Sequence, residues 1–534
     1  MTFAELLDRL GGMGRFQVLH VALLVTPVLL TASHNLLQNF SAAVPEHHCQ
    51  IRLLGNDTHP RTNRTLEPAT EEDLLWISIP KDRAGKPDKC RRFVTPQWHL
   101  LNSNATDANW TQADTEPCHD GWIYDRSIFT NTIIMEWDLV CNLRTRRQMA
   151  QSIYMGGVLA GALVFGSLAD RFGRKSVLSW SYLQMAVSGL CTAFSPTLTA
   201  YCVFRFLVGM ALSGIILNCM SLVLEWVPTK VRTVAGTVVG YSATIGQIIL
   251  PGLAYALPDW RWLQFTASMP FFAFFLYSWW FAESARWLVL SGKPEQAVEV
   301  LKKVAEINGK KEEGEKLTTE VLKSNMQKEM ALANSSYTFV SLVRTPTVRR
   351  ISCCISSVWF ATSFSYYGLA MDLQNFGFSI YLIQVAFGSI DIPAKLIAAI
   401  DLQTLRTSLA VIGKGCLASS FNCLYLYTGE LYPTVIRQTG MGLGSTLARV
   451  GGIVAPMVRI TGEYFPYLPP IIYGTAPILS GVAAIFLPET RNMPLPDTVE
   501  EVESGAAQQS KLLENAVTTA KAAAVSCGKN TPLI

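Results

Sequence analysis

Charge is scarce in this chain of 534 residues: Asp, Glu, Lys and Arg together make up 16%, against roughly 25% in an average soluble domain. Histidine is scarcer still, at seven residues, and only His20 and His34 lie inside apolar blocks. No G-x-x-x-x-G-K-[ST] loop, no H-E-x-x-H and no glycine-rich dinucleotide turn occurs. ATP-driven, zinc-hydrolase and nicotinamide chemistry therefore have no motif to stand on, and the chain does not read as an enzyme or as a cofactor binder. His47 and His48 adjoin Cys49, but no matching ligand pair follows, so no metal site is expected. The net charge of +4 is too small to support nucleic-acid binding.

Apolar residues fill the space that charge leaves. They make up 50% of the chain, with a mean hydropathy of +0.26, and they fall into blocks of about 20, the length a helix needs to cross about 30 Å of hydrocarbon. The blocks lie near 16–36, 149–168, 176–194, 200–224, 234–256, 262–282, 351–371, 378–400, 407–427, 438–459 and 469–487. An all-α polytopic membrane protein of about eleven spans is the expectation. The first block lacks a nearby small-residue cleavage site and reads as a retained helix rather than a signal peptide.

Basic residues set the orientation. Arg171, Arg174 and Lys175 follow the second block, and Lys230 and Arg232 follow the fourth. By the positive-inside rule these face the cytoplasm, which puts 1–36 as inner terminus plus first helix and 37–146 as an extracellular loop. That loop carries five N-x-S/T sequons, at Asn39, Asn56, Asn63, Asn104 and Asn109, and reads as a glycosylated ectodomain. A sixth sequon, at Asn334, falls on the cytoplasmic side and is expected to stay bare. The loop also contains Cys49, Cys90, Cys118 and Cys141, an even number in an oxidising compartment, so two disulfides are expected, with three pairings open. The remaining cysteines read as small buried hydrophobes. Segment 147–282 completes a first helical half, 283–350 is a polar helical linker on the cytoplasmic side, 351–490 forms a second half, and 491–534 is a cytoplasmic tail without a readable function.

The halves are related by an internal repeat. Glu225-Trp-Val-Pro228-Thr229-Lys-Val-Arg232 and Glu430-Leu-Tyr-Pro433-Thr434-Val-Ile-Arg437 both read E-x-x-P-T-x-x-R. Glu283-Ser284-Ala-Arg286 follows the first copy and Pro488-Glu489-Thr490-Arg491 the second at nearly the same interval. Two matching halves of membrane helices are the layout of many secondary transporters, with substrate held near the midplane between them.

The stretch Gly166-Ser-Leu-Ala-Asp170-Arg171-Phe-Gly173-Arg174-Lys175 matches the G-x-x-x-D-R-x-G-R-K signature of the major facilitator superfamily. With Ser33-His34-Asn35, Tyr366-Tyr367-Gly, Glu430-Leu-Tyr-Pro433 and the long first outer loop, the chain resembles the organic anion transporters of that superfamily, from Met1 to about Val502. The resemblance implies two pseudo-symmetric helical halves in the plasma membrane, with no catalysis. It also implies transport of small organic anions, aryl carboxylates or sulfates, by alternating-access exchange for an intracellular dicarboxylate.

Charges within apolar blocks point to the binding site, because a basic residue at the bilayer centre is costly to insert. Arg449 lies among small residues, in Gly444-Ser-Thr-Leu-Ala-Arg449-Val-Gly-Gly452, and has no acid near it in sequence. Lys395 lies four residues after Asp391, which could pair with it on a helix. Arg449 offers a donor fork to a carboxylate or sulfate, and Lys395 a mobile point charge. Lys414 could be a further cavity cation or could reach the interface. Aromatic residues of the seventh block could wall the apolar body of a substrate. The resemblance places Tyr366, Tyr367, Asn35, Tyr241 and Phe421 at the cavity, with Tyr425 as a further candidate. On the cytoplasmic face Asp170, Arg171 and Arg174, together with the pairs Glu225 with Arg232, Glu430 with Arg437 and Glu283 with Arg286, are the expected gate. An acid would be expected where Arg449 stands in an organic cation transporter, which counts against that reading.

Measured with the repeat, the second half is short. About 25 to 35 residues are absent near Ile400-Asp401, enough for one helix and its basic loop. Spans eight and ten would then both run inward with only a short connection. A non-transporting splice or decayed form is the competing reading.

Overall fold

The computed structural model describes residues 3–51, 71–82, 85–97, 113–228, 231–325, 344–371, 379–399, 414–432, 437–462, 465, 468–485 and 487. Helices α1 (Phe3–Arg9), α2 (Arg15–Leu36) and α3 (Gln38–Ser41) lead into a loop region holding α4 (Glu71–Ser78) and α5 (Ile133–Glu136). The first half continues with α6 (Arg144–Phe172), α7 (Arg174–Ala193), α8 (Leu198–Trp226), α9 (Arg232–Ala256), α10 (Trp260–Ser268) and α11 (Pro270–Tyr277). The linker contains α12 (Ala285–Leu290), α13 (Pro294–Ile307), α14 (Lys311–Glu315) and α15 (Thr319–Asn325). The second half is α16 (Pro346–Ala370), α17 (Ile380–Ala399), α18 (Lys414–Leu431), α19 (Arg437–Thr461) and α20 (Leu468–Ala484).

Each of the eleven apolar blocks overlaps a helix. Among the described residues only five helices are long and apolar enough to cross a membrane by length and composition alone, within Arg15–Ser41, Cys141–Phe172, Leu198–Trp226, Val234–Ala256 and Thr439–Thr461. The sixth block is broken because Pro270 has no N–H to donate, so α10 ends and α11 starts with the proline in its first turn. α18 spans 18 residues, from Lys414 to Leu431.

Close backbone approach sets the first half. At the crossing of α6 and α8, a Cβ on Gly157 would stand 2.1 Å from the Phe206 carbonyl oxygen, one on Gly161 2.4 Å from that of Met210, and one on Gly209 2.3 Å from that of Tyr154. Small residues at such positions let membrane helices pack on their backbones, where hydrophobic burial against lipid gives little.

The contacts also give helix directions. The end that carries the disulfide-bonded loop is called outer. Ser242 donates to Val25 O at 2.9 Å and Ser33 to Gly246 O at 3.2 Å, so α2 and α9 run parallel. Phe16 meets Trp226 while Cys219 reaches Leu24 O, so α8 runs against α2. The second half repeats this plan: Gly444 abuts Trp359 and Gly452 abuts Tyr367, making α16 and α19 parallel. Tyr432 reaches Ser352, Trp359 reaches Thr428 and Tyr366 meets Phe421, making α18 antiparallel to α16. Tyr381 meets Tyr255 and Gly388 meets Ile248, so α17 runs against α9 and inward. α7 packs on α8, α10 and α11 in the first half, whereas α20 packs against α16. Among the described residues no helix of the second half occupies the place that α7 takes in the first.

The outer loop is built on two two-stranded antiparallel sheets, His47–Cys49 with Trp122–Tyr124 and Arg91–Phe93 with Thr115–Pro117. The cysteines pair as Cys49–Cys118 and Cys90–Cys141. The buried Arg92 guanidinium bridges Glu116 at 2.8 Å and Asp120 at 2.6 Å and donates to Gln50 O, joining the two sheets. The loop is fastened to the bundle by Glu136, which accepts from Trp260 Nε1 at 2.9 Å and pairs with Arg261, itself bonded to the carbonyls of Ala193 and Ser195 at the end of α7. On the opposite face, Asn308 after α13 accepts from Phe16 N and donates to Leu10 O and Gln17 Oε1. Leu6, Leu7 and Leu10 share a core with Leu301, Val304 and Ala305, which ties the linker to the start of α2.

Asn39 does not fit its expected role as a glycan site. It is 4% exposed, sits in α3, and donates to Ala370 O at 2.9 Å and toward Gln384 Oε1 at 3.5 Å. A side-chain amide turned into the contact between the halves leaves no room for a sugar. Asn56, Asn63, Asn104, Asn109 and Asn334 lie outside the described residues, as does 491–534.

Candidate functional site

Arg449 is the midpoint of α19, and its guanidinium reaches across to the midpoint of α8. Nη1 donates to Ser445 O at 2.9 Å and to Ser445 Oγ, and Nη2 donates to Ser213 Oγ at 3.2 Å. Nε is buried and meets no acceptor among the described residues. A guanidinium carries five N–H donors in one plane, and here two serines orient part of the fork while the edge beside Nε keeps donor capacity. The rings of Tyr367 and Tyr425 lie within electrostatic reach. The small residues around Arg449 have a packing role: Gly444, Gly451 and Gly452 lie against Trp359, Phe364 and Tyr367, and so let α19 approach α16.

The aromatic residues assemble on the same side. Tyr366 and Tyr367 are edge to face at 5.3 Å, Tyr366 meets Phe421 at 5.7 Å, and Tyr425 stands on the Trp359 indole at 4.4 Å. The Tyr366 hydroxyl accepts from Gln247 Nε2 of α9 at 3.2 Å. Asn35 belongs to the first half and accepts from the Tyr154 hydroxyl at 3.0 Å. Tyr241 is half-buried on α9 without a hydrogen bond among the described residues. The structure thus brings Arg449, Tyr366, Tyr367, Phe421 and Tyr425 together, with Asn35 toward the outer end of α2. Lys395 has its backbone in α17, one turn beyond the fully buried Asp391; its side chain, like that of Lys414, lies outside the description.

Ser213, Ser445 and Gln247 are contributors that no charge or motif marks in the sequence. Arg205 is a further cation inside an apolar block, with bulky neighbours in Phe204 and Phe206 where Arg449 has small ones. It is fully buried in α8.

The cytoplasmic charges converge differently from their expected pairing. Arg174 pairs with Asp170 at 3.0 Å and with Glu225 at 3.5 Å. Glu283 accepts from the backbone N–H groups of Arg174 at 3.1 Å, Lys175 at 3.1 Å and Ser284 at 2.9 Å. A carboxylate at the first turn of α7 satisfies donors that the helix leaves orphaned and complements its dipole. Burial nevertheless holds the Glu283 carboxyl above its usual range, against the lowering effect of those backbone bonds. Gly173 makes this possible: its φ is +98°, and a Cβ there would stand 2.3 Å from Glu283 Oε2. The expected pairs Glu225 with Arg232 and Glu283 with Arg286 are therefore not formed. Arg232 Nε points to Val227 O at 3.4 Å instead, and Arg286 is half-buried in α12. Proximity in sequence favoured those pairs, but both acids turn toward the exposed N–H groups and guanidinium at the start of α7. Arg171 is exposed beside the Phe172 ring. The side chains of Glu430 and Arg437 lie outside the described residues.

Two repeated helical halves, a mid-depth site between them and a charge cluster at one end define a secondary transporter. Residues 99–398 match the family model described as "Sugar (and other) transporter". The chain is 58% identical to "Solute carrier family 22 member 6-A" of Xenopus laevis, over 94% of each chain. It is 55% identical to "Solute carrier family 22 member 20" of Mus musculus, again over 94% of each. Among solved structures, the proton:xylose symporter XylE bound to 6-bromo-6-deoxy-D-glucose superposes with a TM-score of 0.54 at 15% identity. That match covers 91% of this chain and 99% of the symporter, and it shows the fold alone. The chain belongs to solute carrier family 22, within the major facilitator superfamily. It is a multi-pass membrane transporter and not an enzyme.

Proposed function

We propose that the protein carries small organic anions, aryl carboxylates or sulfates, across the plasma membrane by alternating-access exchange for an intracellular dicarboxylate. The observation that carries the reading is Arg449, a buried cation at mid-depth whose donors are oriented by serines and, among the described residues, by no acid. A permanent charge of this kind favours an anionic ligand, and the aromatic group of Tyr366, Tyr367, Phe421 and Tyr425 offers faces for its apolar body. Resemblance to the organic anion transporters supports exchange, in which the counter-ion would use the same electropositive site from the other face. Outward-facing contacts such as Asn39 with Ala370 and the stack of Phe40 on Tyr381 at 5.5 Å would open and close in each cycle. The test is uptake of a labelled aryl carboxylate into cells expressing the chain, with and without preloaded dicarboxylate. Preloading should accelerate uptake, and Arg449→Ala should abolish it at equal surface density. Uptake that ignores both manipulations would sink the reading.

A second reading, of a form that does not transport, is favoured by one observation. α17 and α18 run in the same direction, yet residues 400–413 alone connect them. A C-terminal epitope tag with measurement of its membrane side and of surface glycosylation separates the two: protein retained internally with core glycans supports the second reading.

A further inference from the structure

The Arg205 guanidinium presents an unbalanced charge. It is 0% exposed, and none of Nε, Nη1 and Nη2 meets a hydrogen-bond acceptor among the described residues. The Tyr154 ring covers one face, with the guanidinium carbon 4.3 Å from its centroid. Its charge also reaches His34, Tyr201 and Cys202, none of them a carboxylate. Stacking on a tyrosine stabilises a cation only through the ring face and leaves the in-plane N–H groups without acceptors. Arginine does not escape by losing its proton, so the charge persists in the protein interior. Burial of an ion without partner or acceptor is among the most costly arrangements a protein can hold.

Neighbouring polar groups share the same deficit. Gln151 lies one turn before Tyr154 on α6, is 2% exposed, and neither amide atom has a partner. His34 Nδ1 is likewise buried and unpartnered, while its Nε2 lies 3.2 Å from Ala267 O. Side chains three apart on a helix share a face, so Gln151 and Tyr154 both address α8. The Arg205 fork and the Gln151 amide nitrogen thus hold N–H donors that meet no acceptor among the described residues, with no acid in the group, while His34, whose Nε2–H faces a carbonyl, presents Nδ1 as a lone pair. The surrounding walls are core residues, including Val208, Ala211 and Leu212 at the next turns of α8.

We infer that Arg205 holds a small inorganic anion, chloride under cellular conditions, in a site of its own between α2, α6 and α8. The site is separate from Arg449: Ser213, which Arg449 touches, lies eight residues further along α8, about 12 Å at the rise of a helix. The bound ion balances Arg205 and keeps Tyr154 in place to donate to Asn35. Chloride then acts as a fixed structural ligand of the first half, and it is not the transported species.

The test uses the full-length purified protein. Thermal unfolding is followed as sodium chloride replaces sodium gluconate at constant ionic strength. A saturable rise in Tm is expected for the unmodified protein and for Arg449→Ala, with loss of the rise in Arg205→Gln. Arg205→Lys keeps the charge and loses the planar fork, and should shift the chloride midpoint upward about tenfold. No chloride effect on the unmodified protein, its persistence in Arg205→Gln, or its loss in Arg449→Ala would each overturn the inference. Should the Arg205 variants fail to fold, anomalous scattering from bromide-soaked crystals of the unmodified protein decides. A bromide within about 4 Å of Arg205 is expected at ion-pair distance, and bromide at Arg449 alone refutes the site.

Discussion

Replacement of Arg449 by lysine isolates the contribution of its donor fork from that of its charge. The native guanidinium spends Nη1 on Ser445 and one Nη2 donor on Ser213, and it keeps Nε and the adjoining edge for a ligand. A carboxylate docked on that edge accepts two parallel charge-assisted bonds. Lysine restores a positive charge at the same depth but offers a single ammonium that cannot satisfy the serines and the ligand in the same plane. Loss of one hydrogen bond to a charged group costs about 1.5 to 3 kcal/mol, which corresponds to about 10- to 150-fold weaker binding. Ser213→Ala removes an orienting acceptor and leaves the ligand contacts intact, so its effect should stay below about tenfold, the equivalent of a net neutral hydrogen bond. The assay is concentration-dependent uptake of labelled benzoate, normalised to surface protein by biotinylation, for the unmodified chain and each variant. KM should rise in the order Ser213→Ala, Arg449→Lys, Arg449→Ala. A lysine variant with KM within twofold of the unmodified value would refute the fork.

Three further outcomes follow from the packing and the charges. Gly161→Ala places a methyl 2.4 Å from Met210 O, so α6 and α8 have to separate by about 1 Å, and overpacking of this kind costs about 1 to 3 kcal/mol; Gly166→Ala meets nothing within 4 Å and should leave Tm unchanged, which makes it the control in the same melting experiment. Removal of glycans by an endoglycosidase should shift Asn39→Gln and unmodified protein equally on a gel, because Asn39 faces Ala370 and Gln384, and a smaller shift for Asn39→Gln would show that it carries a sugar. Glu283→Gln should leave Tm at neutral pH unchanged or higher, because burial disfavours the charged carboxyl and the amide oxygen keeps an acceptor for the N–H groups at the start of α7. Since burial raises the carboxyl's folded-state pKa above its unfolded value, the folded state binds the extra proton between the two. Stability from this group therefore rises as pH falls through that window, and the slope should vanish in the variant.

The helices were legible in the sequence because hydrophobic length is a one-dimensional signal, and the Asp170 to Lys175 motif located the turn into α7 for the same reason. Partnership within that turn was not legible. Sequence proximity suggested Glu225 for Arg232 and Glu283 for Arg286, whereas the acids answer to the N–H groups and guanidinium at the start of α7, which fold alone brings to the ends of α8 and α11. The sequon at Asn39 shows a related limit, since N-x-S/T specifies a local pattern and burial of α3 against α16 and α17 is a tertiary fact. Arg449 stood out through its small neighbours, and Arg205, packed between phenylalanines, did not, although both are cations inside apolar helices. Flanking residue size reports how closely a neighbouring helix approaches and says nothing about whether a buried charge has a partner.

The second half follows the first closely enough to show where it departs. α16, α18 and α19 reproduce the directions of α2, α8 and α9, and α17 faces α9 as α6 faces α19. The equivalent of α7 has no counterpart among the described residues, and residues 400–413 lead from the inner end of α17 to the outer end of α18. Fourteen residues reach at most about 50 Å when fully extended, enough for the roughly 30 Å of a hydrocarbon core, so connectivity by itself does not forbid the arrangement. Backbone at that depth has to be shielded by protein, because lipid offers no partner for its N–H and C=O groups. What a counterpart of α7 supplies can be read from α7 itself: its N-terminal turn gathers Asp170, Glu225 and Glu283, and its body supports α10 and α11. The candidate site draws on none of it. Asn35, Tyr154, Ser213 and Gln247 come from α2, α6, α8 and α9, and Tyr366, Phe421, Tyr425 and Arg449 come from α16, α18 and α19. The described part of the second half thus keeps the residues of the proposed anion site, with no counterpart among the described residues to the charge cluster at the start of α7. Binding and turnover are therefore separate measurements for this chain, and a bound ligand does not by itself demonstrate transport.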